Sequence, residues 1–139
     1  MTKLHIAILM GSAREGRACD AVTGWVSARL AAQPDLTVDV IDPARLDLAA
    51  LQPLADNDAT RSLRARLGRA DGFLVVTPEY NHGYPAPLKQ MIDAAHAEWQ
   101  ARPVAFVCYG GVSRGLRAVE QLRQVFAELH AVTVRDTPP

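Results

Sequence analysis

Residues 73–93 read FLVVTPEYNHGYPAPLKQMID, and the fold turns on how this stretch is taken. It opens on Phe73, Leu74, Val75 and Val76, an apolar run without polar alternation. Such a run suits a strand buried on both faces, as in a parallel sheet covered by helices. Thr77 and Pro78 are expected to end the strand, since proline cannot donate to the ladder. A polar, aromatic loop follows from Glu79 to Tyr84, and Pro85 and Pro87 then fix the backbone before a helix. Leu88, Met91, Ile92, Ala95 and Trp99 fall at helical spacing along it. A loop with two tyrosines, at the carboxyl end of a central strand, is where open α/β sheets bind ligands. It is equally an ordinary strand–turn–helix corner with its tyrosines packed for stability. The local pattern does not separate the two.

Working outward, the same alternation continues. Leu4–Met10 is a strand ending at Gly11-Ser12, and Ala18, Ala21, Val22, Trp25, Val26 and Leu30 make one helical face, stopped by Pro34. Leu36–Ile41 is a second strand, and strand–helix–strand order calls for a right-handed crossover and parallel pairing. Residues 42–60, with Pro43, Pro53 and a polar run at 55–58, read as a surface loop with a short helical turn. Residues 61–70 carry Leu63 and Leu67 among arginines, a short amphipathic helix. Beyond the central stretch, 103–108 is a fourth strand, 109–115 a glycine-rich loop and 116–130 a long helix. That helix sets Leu116, Val119, Leu122, Val125, Phe126 and Leu129 on one face, and 131–134 is a fifth strand. Strict alternation implies a single doubly wound α/β domain over residues 1–139. Five strands suit the flavodoxin-like order 2-1-3-4-5, in which a flavin sits where strands one and three diverge. The three unusual loops follow strands one, three and four and would share the sheet's carboxyl edge.

Composition narrows the function. The chain has 139 residues, half of them apolar, with fifteen acidic and fifteen basic residues and no net charge. That is one domain with a full core. Nucleic-acid binding would need a net basic face, so none is expected. Cys19 and Cys108 belong to no paired motif and read as reduced cysteines, Cys108 buried at a strand end. No signal peptide is visible, and no apolar run approaches the roughly 20 residues of a membrane span. A soluble, cytoplasmic protein with no membrane partner is the expectation.

The first loop, Gly11-Ser12-Ala13-Arg14-Glu15-Gly16-Arg17, leads from a buried strand into a helix. Unpaired amides and the helix dipole suit an anion there, and arginine offers fork-shaped donation to a phosphate. The loop lacks the Walker ending and the three-glycine dinucleotide fingerprint. The plainer reading is that Ser12 caps the helix and the arginines are solvated. In the second loop, tyrosine rings can flank a planar ring system while Asn81 bonds its edge. No second histidine or cysteine stands at ligand spacing from His82, so no metal is expected. The Gly110-Gly111 pair lets backbone approach a flat ligand, or is a plain turn. A phosphate site, an aromatic clamp and a glycine shelf on one edge fit a phosphorylated planar cofactor.

Gly11-Ser12-x-Arg14-x-Gly16-Arg17, Thr77-Pro78-Glu79-Tyr80-Asn81-His82 with Pro87-x-Lys89, and Tyr109-Gly110-Gly111-Val112-Ser113 together resemble the NADPH-dependent FMN reductase family, which includes quinone, azo-dye and chromate reductases. The resemblance runs from strand one to the chain's end, with Pro-Glu-Tyr-Asn its specific signal. It implies that Ser12, Arg14 and Arg17 hold the FMN phosphate. Pro78, Glu79, Tyr80 and Asn81 would border the isoalloxazine ring, with Gly110, Gly111 and Ser113 closing its pyrimidine side. It further implies non-covalent FMN, NAD(P)H as co-substrate, a small-molecule electron acceptor such as a flavin or quinone, and a homodimer or homotetramer. No side chain need act as a catalytic nucleophile or base, because the chemistry is the flavin's. The other reading is a flavodoxin-like electron-transfer or FMN-storage protein without reductase turnover.

The sequence departs from the family pattern in three places. Arg114 replaces a small residue on the glycine shelf, segment 42–60 is short, and the helix that usually follows strand five is missing before Pro139. Without that helix, strands three to five should expose an apolar strip on one face.

Overall fold

The structure, a computed structural model, describes residues 2–137; Met1, Pro138 and the chain's end at Pro139 lie outside the described residues. Five parallel strands form one sheet in the order 2-1-3-4-5. They are β1 (Leu4–Met10), β2 (Leu36–Ile41), β3 (Gly72–Pro78), β4 (Pro103–Tyr109) and β5 (Val132–Thr133). The helices are α1 (Cys19–Ala31), α2 (Asp58–Gly68), α3 (Ala86–Asp93) and α4 (Leu116–Glu128). Two 3-10 turns, Pro43–Arg45 and Leu48–Ala50, occupy the segment that had read as loop with a helical turn.

Several boundaries differ from those expected, each for a local reason. β3 runs on through Thr77 and Pro78, and Pro78 pairs with Tyr109 of β4. β1 has already ended by then: its last paired residue is Met10, opposite Val76. The side of β3 that proline leaves without a donor therefore faces no strand. α2 begins at Asp58, ahead of Arg61, because Asn57 and Thr60 form a reciprocal capping box. α3 stops at Asp93 instead of continuing to Trp99. Trp99 lies on a separate 3-10 turn and donates its indole N–H back to the carbonyls of Ile92 and Ala95, at 3.1 and 3.2 Å. The indole thus adds a donor at the carbonyls of the last turn of α3 and of the residues just after it, where helical pairing runs out. On α4 the buried residues are Ala118, Val119, Leu122 and Phe126, while Leu116 at the N-terminus is largely exposed.

The sheet is covered unequally. One face packs on α2, α3 and α4 in the main core, where Phe73, Trp99 and Phe126 meet in sequence, tilted and then edge-on, with centroids 4.7 and 5.6 Å apart. Among the described residues the other face packs on α1 alone, through Ile8, Met10, Cys19, Val26 and Val76. β4 records the difference residue by residue: Val104, Phe106 and Cys108 are buried, whereas Ala105, Val107 and Tyr109 are only partly so. Leu30, Leu74, Ala105 and Val134 border an apolar hollow there. Among the described residues no helix follows β5. Arg123 of α4 instead pins residues 133–137, donating to the Val134 and Arg135 carbonyls at 2.7 Å each. No helix among the described residues is long and apolar enough to cross a membrane.

Candidate flavin site

The three loops singled out in the sequence do meet at the carboxyl edge of β1, β3 and β4, and each is built from its strand outward. The end of β1 lies tight against β3. The Gly11 amide donates to Val76 O at 2.8 Å, and a Cβ on Gly11 would stand 2.9 Å from the Thr77 hydroxyl and 3.0 Å from Val76 O. Only glycine fits that approach. The chain then turns into α1, whose N-cap Ala18 offers no side-chain acceptor. Among the described residues the amides of Ala13, Glu15 and Gly16 find no acceptor. This is an uncapped, donor-rich helix entrance, the setting in which backbone binds anions.

The two arginines of this loop have different surroundings. Arg14 is exposed and pairs with no carboxylate among the described residues. Arg17 is folded inward, its side chain 8% exposed, with both terminal nitrogens 2.7 Å from the Asp42 carboxylate. It also bonds the Ser12 carbonyl and, through Nε, Asp20 at 3.0 Å. Asp42 holds the Arg17 guanidinium well above its ordinary pKa, and Arg17 in turn holds Asp42 below the usual carboxylate range. Asp42 closes β2 and was not singled out in the sequence. Its signal was there: an aspartate at the carboxyl end of a strand beside an arginine-bearing loop.

Ser12 is fully buried, its hydroxyl accepting from the Arg14 amide at 3.3 Å and sharing a 2.7 Å hydrogen bond with the Tyr80 phenol. The second loop is thus tied to the first. Tyr80 and Gly83 exchange backbone hydrogen bonds of 2.9 and 3.1 Å across a tight turn, with Asn81 and His82 at its tip in left-handed conformation. Asn81 and His82 are exposed, while Pro78 is buried and Tyr84 packs against the main core.

Glu79 ties the second loop to the third. Its side chain is 8% exposed, bonded by the Ser113 hydroxyl and by Arg117, whose Nε lies 3.0 Å away. The Ser113 hydrogen bond first, then the Arg117 charge, lowers its pKa below the ordinary glutamate value. Sequence reasoning missed Arg117, a helix-surface arginine indistinguishable in one dimension from a solvated one. In the third loop Gly111 is open: a Cβ there would meet nothing within 4 Å. Gly115 is the opposite case, with φ of 90° and a hypothetical Cβ 2.7 Å from Cys108 Cβ. That glycine fixes the loop against β4 and leaves Val112 and Arg114 at the exposed rim.

An uncapped helix entrance with Arg14, which meets no carboxylate among the described residues, a tyrosine–asparagine turn and an open Gly111 backbone thus share one edge. Together they fit a phosphorylated, flat cofactor.

Comparison with known proteins gives the same picture. A model of the NADPH-dependent FMN reductase family matches residues 4–138. An NAD(P)H-dependent FMN reductase of Schizosaccharomyces pombe is 32% identical over 86% of this chain and 64% of its own length. A quinone reductase of Escherichia coli is 30% identical over 95% of this chain and 74% of its own. The chain therefore spans about two thirds to three quarters of these relatives. The crystal structure of an NADH:FMN oxidoreductase in its apo form superposes on 97% of this chain and 74% of that one, with a TM-score of 0.84 at 22% identity.

Proposed function

The chain belongs to the NADPH-dependent FMN reductase family, and on that premise we propose that it is an FMN-dependent oxidoreductase taking hydride from NAD(P)H and passing it to a flavin, a quinone or a similar small acceptor. The observation that carries this reading is the meeting of the amide-rich α1 entrance with the Tyr80–Gly83 turn and the open Gly111 backbone. Bound FMN supplies the hydride chemistry; the protein binds, orients and sets the charge around it.

In this reading Arg14 and the amides of residues 13, 15 and 16 hold the phosphate dianion. Arg17 acts one step behind them. Its donors are committed to Asp42 and the Ser12 carbonyl, so it shapes the loop that Arg14 uses. Pro78, Glu79, Tyr80 and Asn81 border the ring, with Gly110, Gly111 and Ser113 on its other edge. Glu79 stays ionised at neutral pH between Ser113 and Arg117, and places a fixed negative charge beside the second and third loops. The proposed site of action is the cytoplasm, a reducing compartment that suits a buried thiol such as that of Cys19.

The test is the visible spectrum of purified protein with FMN, followed by anaerobic NADPH. A yellow protein that bleaches is the expected result. A yellow protein that stays oxidised is a flavin carrier, and one that takes up no FMN has no flavin site.

A homodimer or homotetramer is also proposed, on the support of the part-covered β4 face and its apolar hollow. Sedimentation velocity at micromolar concentration should give a species larger than one chain. A well-behaved monomer would refute it.

A further inference from the structure

Arg117, in the first turn of α4, reaches two residues of the second loop at once. Its Nε is 3.0 Å from Glu79 Oε1, its amide donates to Glu79 Oε2 at 3.3 Å, and its Nη1 is 2.8 Å from His82 Nδ1. One turn further along α4, the Gln121 side chain donates to the His82 carbonyl at 3.0 Å. Between these anchors Asn81 and His82 hold φ of 50° and 74°. Two successive left-handed non-glycine residues are disfavoured, and such a backbone persists only where its surroundings impose it. Here the imposing groups come from α4.

The chemistry of the contact also fixes a proton. A guanidinium carries only donors, so the 2.8 Å approach is a hydrogen bond only when His82 Nδ1 presents a lone pair. The imidazole is then neutral, with its proton on Nε2. The charged groups facing it are Arg117 from α4 and Glu79 from its own loop.

We infer that Arg117 is a positioning residue for the Tyr80–Gly83 turn, holding Glu79 and the Nε2–H form of His82 together and so setting the edge of the flavin site. This rests on the reading that the turn borders the flavin, and the test is arranged to separate the two. The first measurement needs no flavin. Long-range nitrogen–proton NMR on labelled protein, at a pH where imidazoles are neutral, reads the tautomer, with His82→Gln assigning the signal. The expected result is a single Nε2–H form in the parent and a mixture in Arg117→Gln.

The second measurement is flavin affinity by fluorescence quenching. Arg117→Gln should weaken FMN roughly three- to tenfold, as the loss of an ordinary hydrogen bond would. It should weaken riboflavin by the same factor, because the phosphate is not involved. His82→Phe should reproduce that loss. A mixed tautomer in the parent protein overturns the inference, as does an unchanged FMN affinity in both variants. A parent that binds no flavin removes the functional reading, while the tautomer still judges the contact, as it does if Arg117→Gln fails to fold.

Discussion

The hydroxyls of Ser12 and Tyr80 lie 2.7 Å apart, joining two loops whose residues are 68 positions apart in the chain. Ser12 is buried and Tyr80 partly exposed, so the bond is a hinge pin between the phosphate side and the ring side of the proposed site. Tyr80→Phe removes the pin and keeps the ring. It should weaken FMN by roughly two- to twelvefold, the span of a net 0.5–1.5 kcal/mol hydrogen bond. Fluorescence titration reads this directly, and an affinity equal to the parent's would separate the two loops functionally.

Among the described residues Arg14 meets no carboxylate at the α1 entrance. Charge-assisted hydrogen bonds are worth roughly 1.5–3 kcal/mol, so Arg14→Ala should cost at least about tenfold in FMN affinity. Riboflavin, which has no phosphate, should bind parent and variant alike. Equal losses for both ligands would place the phosphate elsewhere.

The Arg17–Asp42 pair makes a prediction about stability. Its side chains are 8% and 13% exposed, so Asp42→Asn should cost about 2–3 kcal/mol in urea unfolding, near the lower end for removing one partner of a buried pair. Asp42 has a lowered pKa in the folded state. Its contribution is therefore complete above the unfolded aspartate value of about 3.9 and disappears as pH falls through the lowered folded value. Asp39, lowered by its hydrogen bond to Arg66, behaves with the same sign. Urea midpoints measured from neutral pH down to about pH 3 should fall more steeply for the parent than for Asp42→Asn.

Gly111 and Gly115 are four residues apart and should respond in opposite ways to alanine. At Gly115 the added Cβ meets Cys108 and the backbone needs φ of 90°, so Gly115→Ala should destabilise the fold by about 3 kcal/mol. At Gly111 nothing lies within 4 Å, so Gly111→Ala should change stability by no more than about 0.5 kcal/mol. Its effect should appear in the flavin spectrum and affinity instead. A Gly111 variant with parental flavin binding would show that the shelf is not used.

Much of this architecture is legible in one dimension. The apolar run at 73–76 shows no polar alternation, and that property alone implies a covered parallel sheet. Strict alternation gives the doubly wound fold, and five strands suit the order 2-1-3-4-5 that the sheet adopts. What stayed hidden depends on side chains folding back over distance. The Trp99 indole reaches the end of α3, which shortened a helix whose apolar spacing still reads as continuous. Arg17 and Arg14 look alike in the first loop, and what sets them apart is chiefly the Arg17 pair with Asp42, from the segment that reads as a surface loop. Glu79 and Ser113 were both placed beside the ring, but their bond to each other is a contact between separate loops that no spacing rule reports.

The aromatic core has a practical consequence. The chain has two tryptophans: Trp99 is wholly enclosed beside Phe73 and Phe126, while Trp25 on α1 is 59% exposed with the Arg29 guanidinium 4.3 Å over its ring. An aqueous quencher such as iodide can collide with Trp25 and cannot reach Trp99. The emission of the native protein therefore divides into a shell signal and an interior signal. The moment at which the second becomes quenchable marks the opening of the sheet's well-covered side, without any label added to the molecule.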